Sequence, residues 1–98
     1  MAYRVIWSEE ATDDLQRIAD YIGKDSKTYA KAIVRKILDV TRKLEQFPRI
    51  GRIVPELGDE NLRELLISVY RVMYRIEGQD IVIATIAHGK QSLEIDSL

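Results

Sequence analysis

The strongest pattern of apolar and polar positions lies in the last third of the chain, Tyr70 to Lys90. Tyr70 to Glu77 alternates with period two. Tyr70, Val72, Tyr74 and Ile76 fall on one side, Val69, Arg71, Met73 and Arg75 on the other. Gly78-Gln79 is a two-residue connection with glycine first, which predicts a type II′ hairpin turn. Asp80 to Ala87 is apolar on both sides, Ile81, Ile83 and Thr85 against Val82, Ala84 and Ile86. That is the pattern of a strand in the middle of a sheet, covered on each face by the fold or by a partner. If either set points away from the rest of the fold, the isolated protein should expose apolar surface and self-associate or be poorly soluble.

The remaining pattern supplies the rest of a two-layer fold. Ala2 to Trp7 alternates as a short strand. Ser8 is placed as an N-cap, with Glu9 and Glu10 in the first turn, where the helix dipole favours negative charge. Ala11, Leu15, Ile18, Ala19 and Ile22 recur at helical spacing, which predicts a helix from Glu9 to Ile22, ended by Gly23. Asp25 or Ser26 caps a second helix over about residues 27–46, with Tyr29, Ile33, Ile37, Val40 and Leu44 on one stripe, until Pro48 stops it. Two prolines and two glycines between Phe47 and Asn61 exclude a regular element there. Leu62 to Ile67 alternates again, Arg63, Leu65 and Ile67 on one side, and a short Ser68-Val69 connection leads to the strand at Tyr70. The expectation is a single domain over residues 1–98. It is α+β, with an antiparallel four-stranded sheet and an N-terminal helical hairpin packed on one face, in the order β-α-α-β-β-β.

Composition narrows the function classes. There is no cysteine and only one histidine, so neither a disulfide framework nor a metal site is expected, and no cofactor is predicted. No apolar run approaches the ~20 residues that span a bilayer, and no signal peptide opens the chain, so a cytoplasmic protein is expected. The formal net charge is −1. A non-specific grip on nucleic acid, which needs a strong positive excess, does not follow from it.

Four short motifs in order carry a resemblance. They are G-R-x-V-P-E (Gly51 to Glu56), L-R-E-L (Leu62 to Leu65), Y-R-V-x-Y-R (Tyr70 to Arg75) and H-G-K (His88 to Lys90). On a strand-helix-helix-three-strand order of this length, they resemble the ParE/RelE superfamily, the toxins of bacterial type II toxin–antitoxin systems, often labelled plasmid stabilisation proteins. The resemblance implies a cognate antitoxin whose C-terminal segment wraps the toxin, and hence a toxin–antitoxin hetero-oligomer. It leaves two branches open. ParE-like members block DNA gyrase and are not known as nucleases. RelE-like members, YoeB among them, enter the ribosome and cut messenger RNA. The terminal H-G-K-Q looks more like the H-G-R-R of ParE-like sequences, and the lysine-rich loop and late tyrosine of RelE have no counterpart here. These departures and the neutral charge favour the ParE branch. A toxin homologue that only binds its antitoxin as a corepressor is a third reading.

The resemblance also supplies candidate residues. In a YoeB-like nuclease the catalytic set would be Glu56, Arg71 and His88. These are the right kinds of group for cleavage through a 2′-hydroxyl, which needs a base, an acid and a cation beside the phosphorane. In the binding reading, Arg52, Arg63, Arg71, Arg75 and Lys90 contact the target or the antitoxin. Arg71 and Arg75, four residues apart on one strand face, suit two successive anionic groups. Their structural alternative is pairing with Glu64, Glu77 or Asp80 across the sheet.

Overall fold

Ser8 starts the helical layer as its sequence position predicts. Its hydroxyl accepts the Ala11 N–H at 3.0 Å and donates to the Ala84 carbonyl at 2.9 Å, so one side chain caps the first helix and pins it to the last strand. The computed structural model describes residues 2–89. They form β1 (Arg4–Trp7), α1 (Glu9–Gly23), α2 (Lys27–Arg42) running on into a 3-10 turn at Lys43–Glu45, β2 (Arg52–Ile53), β3 (Leu62–Ile67), β4 (Tyr70–Glu77) and β5 (Asp80–His88). Ser26 is the cap of α2, accepting the Tyr29 N–H at 3.1 Å. Gly23 does not end α1 by turning left-handed; the helix closes at Lys24 in right-handed geometry. No helix among the described residues is long and apolar enough to cross a membrane.

The sheet has five strands in the order β1-β5-β4-β3-β2, not four. The extra member is β2, two residues inside the segment whose prolines and glycines argued against any regular element. It is short enough to fit between Gly51 and Pro55. The sheet is also not wholly antiparallel, because β1 pairs with β5 in parallel, Arg4 opposite Asp80 through Trp7 opposite Ile83. A parallel neighbour follows from the long helical connection that separates β1 from the meander, which a tight turn does not constrain. β5 is central, between β1 and β4, as its apolar content on both sides predicts.

The helical layer buries Ala11, Ile33, Ile37 and Leu44 against Leu65, Ile67, Val72, Tyr74, Ile81, Ile83 and Ile86 of the sheet. Ile86 sits with Ile81 and Ile83, out of step with strict alternation. Tyr74 lies opposite Ile83 and Met73 opposite Thr85, so Ala84 is a bulged residue that shifts the phase of everything after it. The condition for an exposed apolar stripe, that Val82, Ala84 and Ile86 all point away from the fold, is therefore not met. Ile86 is in the helix-side core, Ala84 is buried and Val82 is half-buried. The bulge leaves the Ile86 N–H without a ladder partner beyond the end of β1. Asp14 of α1 supplies one: its Oδ2 accepts the Ile86 N–H at 2.9 Å and the Thr85 hydroxyl at 2.7 Å, and its Oδ1 accepts from Arg17. A buried carboxylate on a helix thus completes the hydrogen bonding of a bulged strand.

The loop after α2 is fixed from beneath. The Tyr74 hydroxyl, on a side chain that is almost wholly buried, donates to the Pro48 carbonyl at 2.7 Å and accepts the Gly51 N–H at 3.0 Å. Burial raises the Tyr74 pKa above the usual phenol value, which keeps that proton in place. A Cβ on Gly51 would lie 2.6 Å from the Glu64 carbonyl oxygen and 2.7 Å from the Tyr74 hydroxyl. Gly51→Ala should therefore cost about 1–3 kcal/mol, the range for forcing atoms into a filled site. Gly23→Ala is the control, since its Cβ would approach nothing nearer than the Ala30 methyl at 3.9 Å. Urea denaturation of both variants should show a loss of stability at position 51 only.

Candidate functional site

On the sheet face opposite the helices, four charged side chains from three strands and one loop form an alternating chain. Register places Glu64 of β3 beside Arg52 of β2 and diagonal to Arg71 of β4. Arg71 Nε donates to Glu64 Oε1 at 2.8 Å, and its Nη2 reaches the same oxygen. Its two Nη atoms then take both oxygens of Glu56, from the loop after β2, at 2.9 Å each. Arg52 Nε donates to the other oxygen of Glu64. The Glu64 side chain has 0% exposure and Arg71 7%, while Glu56 keeps 36%. The two arginines and two glutamates cancel. Hydrogen bonds from Arg71 come first in holding the Glu56 carboxyl below its usual pKa, and those to Glu56 come first in holding the Arg71 guanidinium above its own.

A shallow cleft of about 430 Å³ opens over this quartet, lined by Arg52, Pro55, Glu56, Leu66 and Arg71 and, at the β3–β4 turn, by Ser68, Val69 and Tyr70. Ser68 carries the turn with φ 55°.

The residues expected to form a site do not all meet there. Glu56 and Arg71 come together in a bidentate pair. His88 lies opposite Tyr70 in register, its ring edge-on to the tyrosine at 6.1 Å between centroids. It lines an adjoining cleft with Asp14, Arg17 and Tyr21 of α1, on the helix side of the sheet, with Tyr70 between the two, whereas Arg71 projects from the other side. Arg63 stands opposite Tyr74, again on the helix side, so it is not part of a basic face with Arg71 and Arg75. Its guanidinium instead ties loops together, donating to the carbonyls of Gly51 at 2.9 Å and Glu60 at 2.9 Å. Arg75 does share the Arg71 face, but its Nε is 2.8 Å from Glu77. Asp80 takes Arg4 rather than either of them. Lys90 lies outside the described residues. Pairing across the sheet, the structural alternative, thus accounts for Arg71, which takes Glu64 of β3 as Arg52 does, whereas Arg75 pairs with Glu77 on its own strand.

Two groups escaped the sequence reading. Asp14 occurs on the apolar stripe of α1, three residues after Ala11 and four before Ile18; a lone carboxylate on a buried stripe was its signal. Glu64 was visible only as one possible partner for the arginines, because nothing in an alternating strand says that one polar position is fully buried.

Comparison with known proteins gives a consistent family. The sequence profile of the ParE toxin of the type II toxin–antitoxin system, parDE, matches residues 5–93. The chain is similar to Toxin ParE3 of Caulobacter vibrioides, 33% identical over 91 residues that cover 92% of this chain and 90% of the relative. It is also similar to Toxin RelE2 of the same organism, 30% identical over 88% of this chain and 94% of that one. In structure it resembles a chain of the chromosomal ParDE system from P. aeruginosa, with a TM-score of 0.73 and 23% identity, covering 89% of this chain and 96% of the other.

The quartet makes two predictions. Arg71→Ala leaves Glu64 buried with half its partners gone and should cost about 3–5 kcal/mol in denaturant unfolding; Arg71→Lys, which cannot serve two carboxylates in one plane, should recover little of it. The second concerns acid. Glu56 is depressed below its ordinary 4.5, so the stability it contributes is present above that value and is lost as pH falls through the lower folded value. Glu56→Gln should be less stable than the native chain at neutral pH. The gap should close on acidification below pH 4.5, read as two converging melting-temperature curves.

Proposed function

The chain belongs to the ParE toxin family of type II toxin–antitoxin systems, and we propose that it arrests growth in the cytoplasm by inhibiting DNA gyrase through a protein–protein contact, under control of a cognate antitoxin. The observation that carries this reading is the state of the would-be nuclease groups. Cleavage through a 2′-hydroxyl needs a proton acceptor, a proton donor and an unsatisfied cation within reach of one phosphate. Here the Arg71 guanidinium already serves two carboxylates, and His88 faces the other side of the sheet. With Glu56 and Glu64 balancing Arg52 and Arg71, little positive potential remains to draw a phosphate into the cleft. A contact that works by shape and apolar burial needs none of these groups.

The antitoxin's place in this reading is the groove between the helices of the hairpin. Ala19, Ala30, Val34 and Leu38 line it, with Lys31 and Arg35 at its rim. An apolar floor with a basic rim suits an amphipathic acidic helix laid lengthwise.

The specific support for a second reading, a ribosome-dependent messenger RNA endonuclease, is the likeness to a toxin named RelE2. Glu56, Arg71 and His88 would then act only after a rearrangement that frees Arg71 and turns His88 to the same face.

A supercoiling and DNA-cleavage assay with purified gyrase, titrated with toxin and then with antitoxin, separates the readings. Inhibition reversed by an equimolar antitoxin is the expected result. Growth arrest with no effect on gyrase, together with messenger cleavage that His88→Ala abolishes, would replace it with the nuclease.

A further inference from the structure

The loop from Phe47 to Ile53 shows apolar side chains to solvent although its backbone is tied down from its inner side. Phe47 is 58% exposed and Ile50 55%, and Ile53 is exposed beside them. Surface loops usually turn polar residues outward, and mobile ones can fold apolar tips back. This one does neither. Its inner side is bound by the Tyr74 hydroxyl at Pro48 and Gly51, by Arg63 at the Gly51 carbonyl, and by the Tyr3 N–H at the Glu45 carbonyl (2.8 Å). Gly51 admits no Cβ there. Phe47, Pro48, Arg49 and Ile50 with Tyr3 and Gln46 line a shallow, open cleft of about 540 Å³. The charge around it is one-sided. Arg49 lines it, and in the stretch 42–50 Arg42, Lys43 and Arg49 stand against a single acid, Glu45, in a chain whose net charge is −1; Arg52 is already paired with Glu64.

We propose that this loop is the surface with which the toxin grips its target protein, taking an acidic patch that inserts at least one apolar side chain into the Phe47–Ile50 cleft. The inference rests on the protein-contact reading above and supplies its contact surface. Two of the three exposed apolar groups, Ile50 and Ile53, are not aromatic and offer no π-face to a base, which favours a protein over single-stranded nucleic acid. The hairpin groove and this cleft have no lining residue in common. The first is a channel between two helices, suited to a helical segment; the second is a compact rigid display, suited to the surface of a folded partner. A pre-organised apolar centre inside a charged rim is the anatomy of an energetic hot spot.

The test is the double substitution Phe47→Ser with Ile50→Ser, and separately Arg49→Glu, each expressed with and without antitoxin. Both side chains of the pair point outward, so melting temperature and antitoxin co-elution should match the native chain, while the dose needed for growth arrest rises at least tenfold. Arg49→Glu, which leaves the apolar display intact, should also weaken arrest and make it less sensitive to salt. Undiminished arrest by the double variant overturns the proposal. So does loss of antitoxin co-elution with arrest retained, which would make the loop an antitoxin site. Native gyrase inhibition separates the two claims. If the native toxin leaves gyrase untouched yet the double variant still loses growth arrest, the gyrase reading fails and the loop remains the target surface for another protein.

Discussion

A carboxylate with no exposure to water cannot stay charged alone, and Glu64 has none. That single demand organises the open face of the sheet. It draws Arg71 across from β4 and Arg52 from β2, and Arg71, with donors left over, takes Glu56 from the following loop. β2 is only two residues long and makes few ladder bonds, so the side-chain link from Arg52 to Glu64 is a large part of what joins it to the sheet. A buried ion pair of this kind adds less net stability than its contacts suggest, because desolvation of both partners offsets much of the attraction. Its contribution is to geometry: the four side chains tie β2, β3, β4 and the loop after β2 to one another.

The opposite face follows a different constraint. There the sheet meets α1 and α2, and packing sets the terms, except at the bulge. Ala84 adds one residue to β5, the strand loses its ladder partner at Ile86, and Asp14 comes down from α1 to accept it. The bulge also decides the chemistry. In an unbroken hairpin closed by Glu77 and Asp80, Arg71 would lie opposite Ile86, and His88 would fall opposite Val69, on the Arg71 face. The extra residue places His88 opposite Tyr70 instead, on the face away from Arg71, so the candidate groups Glu56, Arg71 and His88 do not converge.

This explains what could be read in advance and what could not. The order of the elements other than β2, the Ser8 cap of α1, the cap of α2 to within one residue and the glycine-first turn at Gly78, with φ 60°, follow from local chemistry and were legible. The side of the sheet on which Arg63 lies was legible as well, since it alternates with Leu65 and Ile67, which had to face the helices. A one-residue bulge among Ile81, Val82, Ile83, Ala84, Thr85 and Ile86 leaves no mark, because every register of that run is apolar. The face of His88, the absence of an exposed apolar stripe on β5 and the role of Asp14 all depend on it. The parallel β1 and the short β2 were hidden for another reason: each is set by what lies across the sheet, not by its own residues.

The charged quartet and the apolar loop are parts of one construction. Arg52 belongs to both, lying one residue from Gly51 in the chain and bonded to Glu64 in space, and the Glu64 carbonyl, with the Tyr74 ring and hydroxyl, leaves no room for a side chain at Gly51. The loop cannot lift away from the sheet without separating Arg52 from a buried carboxylate, and Glu64 cannot shift without relaxing the constraint at Gly51. Charge that in a nuclease would face a phosphate is here directed inward, where it fixes the attitude of a neighbouring loop. Phe47 and Ile50 are thereby held outward at little entropic cost on binding, since the order a partner would otherwise have to impose is already present in the free protein. Consumed cations on one face and an apolar display beside it are what the proposed action by protein contact would require.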